Sequence, residues 1–87
     1  METNQLLEDR KVDYGNFDEL ALISQELKSV FKKHSIKSPL PAYQEEALEM
    51  IMHKIARLLN GNKYKIDTWQ DIAGYATLVE LKLREGK

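Results

Sequence analysis

Two short stretches, Lys54-Ile55-Ala56-Arg57 and Asp67-Thr68-Trp69-Gln70-Asp71-Ile72-Ala73-Gly74-Tyr75-Ala76, decide how this chain folds. The first stretch lies near the end of one amphipathic helical pattern, and the second opens the next. Between them, Asn60-Gly61-Asn62 is a strong signal for the end of a helix. A turn at this point folds the two helices back on each other. The bases of the first stretch and the acids of the second are therefore expected to meet at one end of a helical hairpin.

The spacing of apolar residues along the whole chain predicts an all-α protein. Apolar side chains recur at intervals of three and four residues, and neither strand alternation nor an internal repeat appears. Asn16 and Asp67 are the expected N-caps of the first and third helices, and Ser38-Pro39-Leu40-Pro41 separates the first helix from the second. We predict an antiparallel bundle of three main helices, at about 17–34, 41–59 and 67–84.

Each predicted helix has an apolar face. The residues assigned to these faces are Phe17, Leu20, Ile23, Leu27, Val30 and Phe31 in the first helix, Ala47, Leu48, Ile51, Ile55 and Leu58 in the second, and Ile72, Tyr75, Ala76, Val79 and Leu83 in the third. Met50, Met52 and Leu59 widen the second face, which favours a homo-oligomer that completes the bundle. Gly74 costs about 1 kcal/mol within a helix, so we expect a neighbouring helix to approach it closely.

The 87 residues are enough for one small domain. Residues 17–87 are assigned to a single helical domain, and residues 1–16 to an N-terminal arm. Thr3 is placed to cap one short helix in the arm, over Asn4–Arg10. The N-terminus lacks the basic segment and apolar core of a signal peptide, so we expect a cytoplasmic protein.

Composition excludes several classes of function. Lys and Arg total 13 and Asp and Glu total 14, and this formal net charge of −1 disfavours a nucleic-acid binder. Cysteine is absent, so no disulfide and no thiolate metal site is expected. No apolar run approaches the roughly 20 residues that span a bilayer, and we therefore expect no membrane partner.

The charged residues of the hairpin allow two interpretations. Asp67, Asp71 and Tyr75 are four residues apart and share one side of the third helix, while the second helix carries Glu46 and Glu49. In one interpretation the four carboxylates hold a divalent cation bound to phosphate, and Lys54 and Arg57 contact the phosphate oxygens. In the other, Asp67 is only a helix cap and Asp71 pairs with Lys54 or Arg57 to hold the hairpin closed.

The same residues resemble a known family. Lys54-Ile55-Ala56-Arg57, the Asn/Gly turn and Asp67-x-x-x-Asp71-Ile72-Ala73-Gly74-Tyr75-Ala76 are similar to small phage and prophage proteins related to the MazG-like, all-α nucleoside triphosphate pyrophosphohydrolases. Tyr14-Gly15-Asn16-Phe17 resembles the signature that opens the first helix in those proteins. The similarity covers about residues 14–80. In a phage-encoded protein, the expected location is the cytoplasm of the host cell.

The resemblance implies an oligomeric helical fold in which Mg²⁺, held by acids on two antiparallel helices, helps water cleave a nucleoside triphosphate to the monophosphate and pyrophosphate. Carried over, it makes Glu49 and Asp71 the candidate catalytic residues and Glu46, Glu49, Asp67 and Asp71 the candidate metal ligands. Lys54, Arg57 and Tyr75 are the candidate nucleotide contacts. The sequence departs from the catalytic relatives at Thr68, which stands where they have glutamate.

Two functions follow as hypotheses. The first is Mg²⁺-dependent binding of a nucleoside triphosphate, with or without its hydrolysis. The alternative is a non-catalytic phage-encoded interaction protein that uses the helical scaffold to bind a host protein or to sequester a nucleotide.

Overall fold

A computed structural model describes residues 14–86, and over this range all of the regular structure is helical. Helix α1 spans Phe17–Ser35, α2 spans Ala42–Asn60 and α3 spans Ile66–Arg84. The predicted helix boundaries are therefore confirmed to within one residue. None of the helices in this range is long and apolar enough to cross a membrane. The predicted short helix over Asn4–Arg10 lies outside the described residues.

Helix α1 begins at the predicted N-cap. The side-chain oxygen of Asn16 accepts hydrogen bonds from the backbone N–H groups of Asp18, at 2.7 Å, and Glu19, at 3.3 Å. These bonds satisfy two of the donors that every helix leaves unpaired at its start. Asp18 and Glu19 also place negative charge at the positive end of the helix dipole.

A tight junction joins the start of α1 to the end of α2. Gly15 has a φ of +77°, a conformation that L side chains rarely adopt. A Cβ atom there would lie 2.0 Å from the carbonyl oxygen of Asn60. The Asn60 side-chain amide donates to the carbonyls of Tyr14, at 3.0 Å, and Asn16, at 2.9 Å. Asn60 therefore fixes the chain on both sides of Gly15, and α1 and α2 run antiparallel from this point.

Helix α3 begins differently from the prediction. Asp67 was expected to be its N-cap, but the helix starts at Ile66, after Lys65, and no side chain caps it. The preceding turn sets this start. The Asn62 side chain accepts from the N–H of Tyr64 at 2.9 Å, and the Trp69 indole N–H donates to the carbonyl of Lys63 at 2.9 Å. Because these bonds fix the turn, Asp67 is carried into the first helical turn.

Helix α2 is the central element of the bundle. It packs against both α1 and α3, whereas α1 and α3 do not contact each other within the described range. The buried apolar residues are Leu20, Ala47, Ala56 and Leu58. None of the large side chains described is fully buried. The three helices thus form an open arrangement in which the outer two each have one helical neighbour.

This openness corrects several assignments to the apolar faces. Phe17, Val30 and Leu83 were expected to be covered, yet 73%, 61% and 53% of their surfaces are exposed. Each lies on an outer helix, on a side that α2 does not cover. Gly74 was expected to meet a neighbouring helix, but a Cβ added there would meet nothing within 4 Å. Gly74 therefore faces open space.

Candidate functional site

A buried base and a half-exposed acid connect α2 to α3. The ammonium of Lys54 lies 2.9 Å from a carboxylate oxygen of Asp71. The Lys54 side chain is 11% exposed, whereas the Asp71 side chain is 50% exposed. An ammonium so nearly enclosed needs a partner, since an unpaired buried charge is costly. Asp71 therefore neutralises Lys54 across the hairpin, which is the contact that the structural interpretation predicted.

Arg57 occupies a different environment, one turn further along α2. Its guanidinium carbon lies 4.5 Å from the centre of the Tyr14 ring, a cation–π arrangement. The Nε atom is buried and has no hydrogen-bond partner within the described range. A second cation, Lys65, lies 5.8 Å from the same ring. The side-chain amide of Asn60 donates a hydrogen bond to the backbone carbonyl of Tyr14, and this bond fixes the backbone that carries the ring. Among residues 14–86, Arg57 therefore packs against the Tyr14 ring and forms no ion pair with a carboxylate.

His53 lies beside these bases, on the side of α2 that faces α1. Its Nδ1 atom is 3.5 Å from the hydroxyl of Ser24, which is only 3% exposed. Burial lowers the pKa of His53 from its ordinary value of 6.5, and the positive charges of Arg57, Lys28 and Lys54 lower it further. Lys28, Lys54 and Arg57 therefore all lie close enough to His53 to lower its pKa. We call Lys28, His53, Lys54 and Arg57 the basic corner.

The predicted carboxylate set is spread along the hairpin. Asp71 contacts Lys54, and Asp67 lies exposed one turn earlier in α3. Glu49 is half-buried one turn before His53, and Glu46 lines a cavity of about 320 Å³ between α2 and α3 together with Tyr75. Within residues 14–86, no three acidic or histidine side chains are close enough to hold a metal ion among them. The four-carboxylate metal site stays a prediction.

The cavity beside Glu46 has its own chemistry. Its walls are mainly apolar, and Lys82 lies at its edge with the ammonium 5.0 Å from the centre of the Tyr43 ring. Tyr75, which we expected beside Lys54 and Arg57, is half-buried and turns toward this cavity, one helical turn beyond Asp71. Its assignment as a nucleotide contact also stays a prediction.

Sequence reasoning missed three members of this region. Lys28, His53 and Ser24 were not among the site residues predicted from the sequence. Their signal is weak because Ser24 and Lys28 belong to α1, whose packing against α2 cannot be read from one sequence, and His53 gains its surroundings only from that packing. Tyr14 and Gly15 were singled out by the resemblance alone, and the structure gives their physical reason in Arg57 and Asn60.

The fold and this corner define a small all-α protein with an open three-helix arrangement and a concentration of bases near one end of its central helix. Residues 2–82 match the model of a family described as a domain of unknown function, DUF6378. The match covers nearly the whole chain, so the chain belongs to this family. A search of curated proteins found no match, and neither did a search of solved structures.

Proposed function

We propose that the basic corner binds a phosphate-bearing ligand, and that this ligand is a nucleoside triphosphate. The observation that carries the proposal is Arg57, whose buried Nε has no hydrogen-bond partner and whose guanidinium rests on an aromatic ring. A planar guanidinium offers five donors in a fixed fork that matches phosphate oxygens. An anionic ligand at the terminal nitrogens of Arg57 would give this guanidinium the charged partner that no carboxylate among residues 14–86 provides.

The charge of the corner supports an anionic ligand. Lys28, Lys54 and Arg57 place three positive charges around His53, and among the described residues Asp71 is the one carboxylate that forms an ion pair with any of them. The whole chain, by contrast, has a formal net charge of −1. A local positive excess on a nearly neutral protein favours a compact polyanion over a long nucleic acid, which needs an extended basic surface.

The proposal requires only two carboxylates for Mg²⁺, and not the four of the metal site predicted from the sequence. Mg²⁺ that accompanies phosphates is usually held by one or two carboxylates, while the phosphates and water supply its other oxygen ligands. Asp67 and Asp71 are one turn apart at the start of α3, and both are exposed enough to reach such an ion. When bound, the ion would neutralise phosphate charge. Lys54 orients Asp71, and Arg57 would hold the phosphate oxygens.

Isothermal titration calorimetry with a panel of ribo- and deoxyribonucleoside triphosphates, with and without Mg²⁺, tests the binding. Arg57→Lys keeps the charge and removes the fork, and we expect it to weaken binding by tenfold or more, about 1.4 kcal/mol. Arg84→Lys is the matched control, because Arg84 is exposed at the far end of α3 and pairs only with Glu80 in the described range. Equal losses in the two variants, or no binding to any triphosphate, would refute the proposal.

Hydrolysis is a separate question with its own measurement. The resemblance implies cleavage of the triphosphate to monophosphate and pyrophosphate, with Glu49 and Asp71 as the catalytic carboxylates. A pyrophosphate-release assay on the wild type and on Glu49→Gln decides it. Release that persists in Glu49→Gln would remove Glu49 from the catalytic role, and an absence of release with binding intact would leave a nucleotide-binding protein.

The second candidate is a non-catalytic interaction protein, and the direct bond between Lys54 and Asp71 favours it. A carboxylate committed to a lysine stabilises the hairpin and is less available to a metal ion or to water. This candidate requires that Asp71→Asn lower stability without abolishing a chemical activity. A metal-dependent rate that disappears in Asp71→Asn while the melting temperature is preserved would reject it.

A further inference from the structure

His53 is the member of the basic corner whose charge changes near neutral pH. Its side chain is half-buried between α2 and α1, and its Nδ1 atom is 3.5 Å from the hydroxyl of Ser24. Because a serine hydroxyl can both donate and accept, Ser24 gives Nδ1 a partner whether the imidazole is neutral or protonated. The Nε2 atom, on the opposite side of the ring, forms no hydrogen bond with residues 14–86 and is not buried. A ligand can therefore reach it.

Three bases oppose a positive charge on His53. Lys54 and Arg57 follow it on α2, by one residue and by one turn, and Lys28 reaches it from α1. Burial lowers the pKa of His53 from 6.5, and the charges of these three bases lower it further. Near neutral pH the imidazole of the unliganded corner is therefore uncharged.

The acids on the neighbouring turns do not offset these bases. Glu49 lies one turn before His53 on α2, and Asp71 on α3 is bound to Lys54. Within residues 14–86, neither acid forms an ion pair or a hydrogen bond with the imidazole. A bound phosphate would change the balance, because its negative oxygens would offset the repulsion from the bases and would attract a positive charge on His53.

We propose that His53 takes up a proton from solvent when the basic corner binds its phosphate ligand, and that Nε2–H then donates to a phosphate oxygen. This inference rests on the proposed function, in which the corner binds a triphosphate. Binding and protonation are linked, so a ligand that favours the protonated imidazole is bound more tightly by it. The affinity should rise as the pH falls through the pKa that His53 has in the complex, and should level off below the pKa that it has in the unliganded corner.

Proton NMR of the full chain measures the proton uptake directly. The chain has two histidines, and His34→Gln assigns their signals. The Hε1 chemical shift of His53 is followed from about pH 5 to about pH 8.5, without ligand and with the nucleoside triphosphate that binds best in the calorimetric panel. We expect the ligand to raise the titration midpoint of His53 by about one unit, which by linkage means tenfold tighter binding to the protonated form.

The other histidine is the internal control for this titration. His34 is exposed and lies ten residues beyond Ser24, about 15 Å further along α1. The ligand should leave its titration midpoint unchanged. A shift of the same size at His34 and His53 would indicate a general effect of the added anion, and would overturn the assignment of the proton to the corner.

Calorimetry at about pH 8 and about pH 6 measures the consequence for affinity. The triphosphate itself also gains protons over this interval, but it does so equally for every variant, so a comparison between variants isolates His53. His34→Gln should keep the pH dependence of the wild type. His53→Gln keeps a polar side chain beside Ser24 but does not titrate, and its gain in affinity on acidification should be smaller by about threefold.

These measurements distinguish a loss of proton uptake from a loss of binding. If no triphosphate binds at either pH, the proposed function and the proton uptake are both overturned. If a triphosphate binds and the midpoint of His53 stays or falls, only the proton uptake is overturned. The same conclusion follows if His53→Gln keeps the pH dependence of the wild type. Because the titration midpoint is measured with His53 in place, the test does not depend on whether His53→Gln folds.

Discussion

The pair formed by Lys54 and Asp71 should respond asymmetrically to mutation, because its two members differ in burial. Lys54 is 9% exposed as a residue, while half of the Asp71 side chain is exposed. Asp71→Asn removes the negative charge and leaves a nearly buried ammonium without an ionic partner. Lys54→Met instead replaces the buried ammonium with an apolar chain of similar length, and leaves a carboxylate that water can solvate.

The structure gives the scale of both effects. Two unit charges 2.9 Å apart attract by about 1.4 kcal/mol in a medium as polar as water. Because Asp71 is half exposed, solvent screening and side-chain entropy reduce the net value of the pair to about 1 kcal/mol or less. Asp71→Asn should nevertheless cost about 1–3 kcal/mol, since it also leaves Lys54 buried and unpaired. Lys54→Met should cost less than about 1 kcal/mol, because its buried segment stays apolar and packed.

Urea denaturation of the wild type, the two single variants and the double variant measures these differences in a double-mutant cycle. All four proteins are compared at one concentration, since association would add to the apparent stability. For a domain of this size, 1 kcal/mol corresponds to a melting shift of about 4–8 °C. The double variant should be more stable than Asp71→Asn alone. If Lys54→Met destabilises as much as Asp71→Asn does, the account of a buried base held by an exposed acid is refuted.

Three further predictions concern the junction of α1 with α2. Gly15→Ala should destabilise by more than 2 kcal/mol in denaturation, because it combines an unfavourable positive φ with a Cβ only 2.0 Å from the Asn60 carbonyl oxygen; a cost below about 0.5 kcal/mol would contradict this. Asn16→Ala should cost about 1 kcal/mol through loss of the helix cap, whereas Asn16→Ser should retain most of the stability. Stability should fall as the pH drops below about 6.5, because the lowered pKa of His53 means that the unfolded chain binds more protons there; His53→Gln should flatten this slope, and an unchanged slope would exclude His53 as the cause.

The helices were predictable because their boundaries depend on neighbouring residues. Asn16 was the predicted N-cap of α1, and it caps α1 in the structure. The proline-containing linker follows the end of α1, and the Asn/Gly turn follows the end of α2, as expected. The error at the start of α3 has the same local origin. Asp67 has the chemistry of a cap, but the bond from the Trp69 indole to Lys63 starts the helix earlier, and a contact six residues apart is not visible in a capping pattern.

The basic corner was only partly predictable, because its members come from different helices. Spacing within α2 placed Lys54 and Arg57 on neighbouring positions, and the turn brought Asp71 within reach of one of them. Which one it contacts depends on the rotation of α3 about its own axis, and the sequence does not specify that rotation. Lys28 enters the corner from α1, whose register against α2 is set at Gly15 by a close approach to Asn60.

The exposed faces mark the limit of the periodicity argument. A helical stripe of apolar residues predicts that something covers that side, but it does not say which molecule supplies the cover. At Leu20 and Ala47 the cover is another helix of the same chain, since both are 6% exposed. At Leu78 and Leu81 the described chain offers none, yet Gly74 accepts a helix penalty of about 1 kcal/mol beside them. Packing within the described chain therefore explains Leu20 and Ala47 but gives no reason for Gly74.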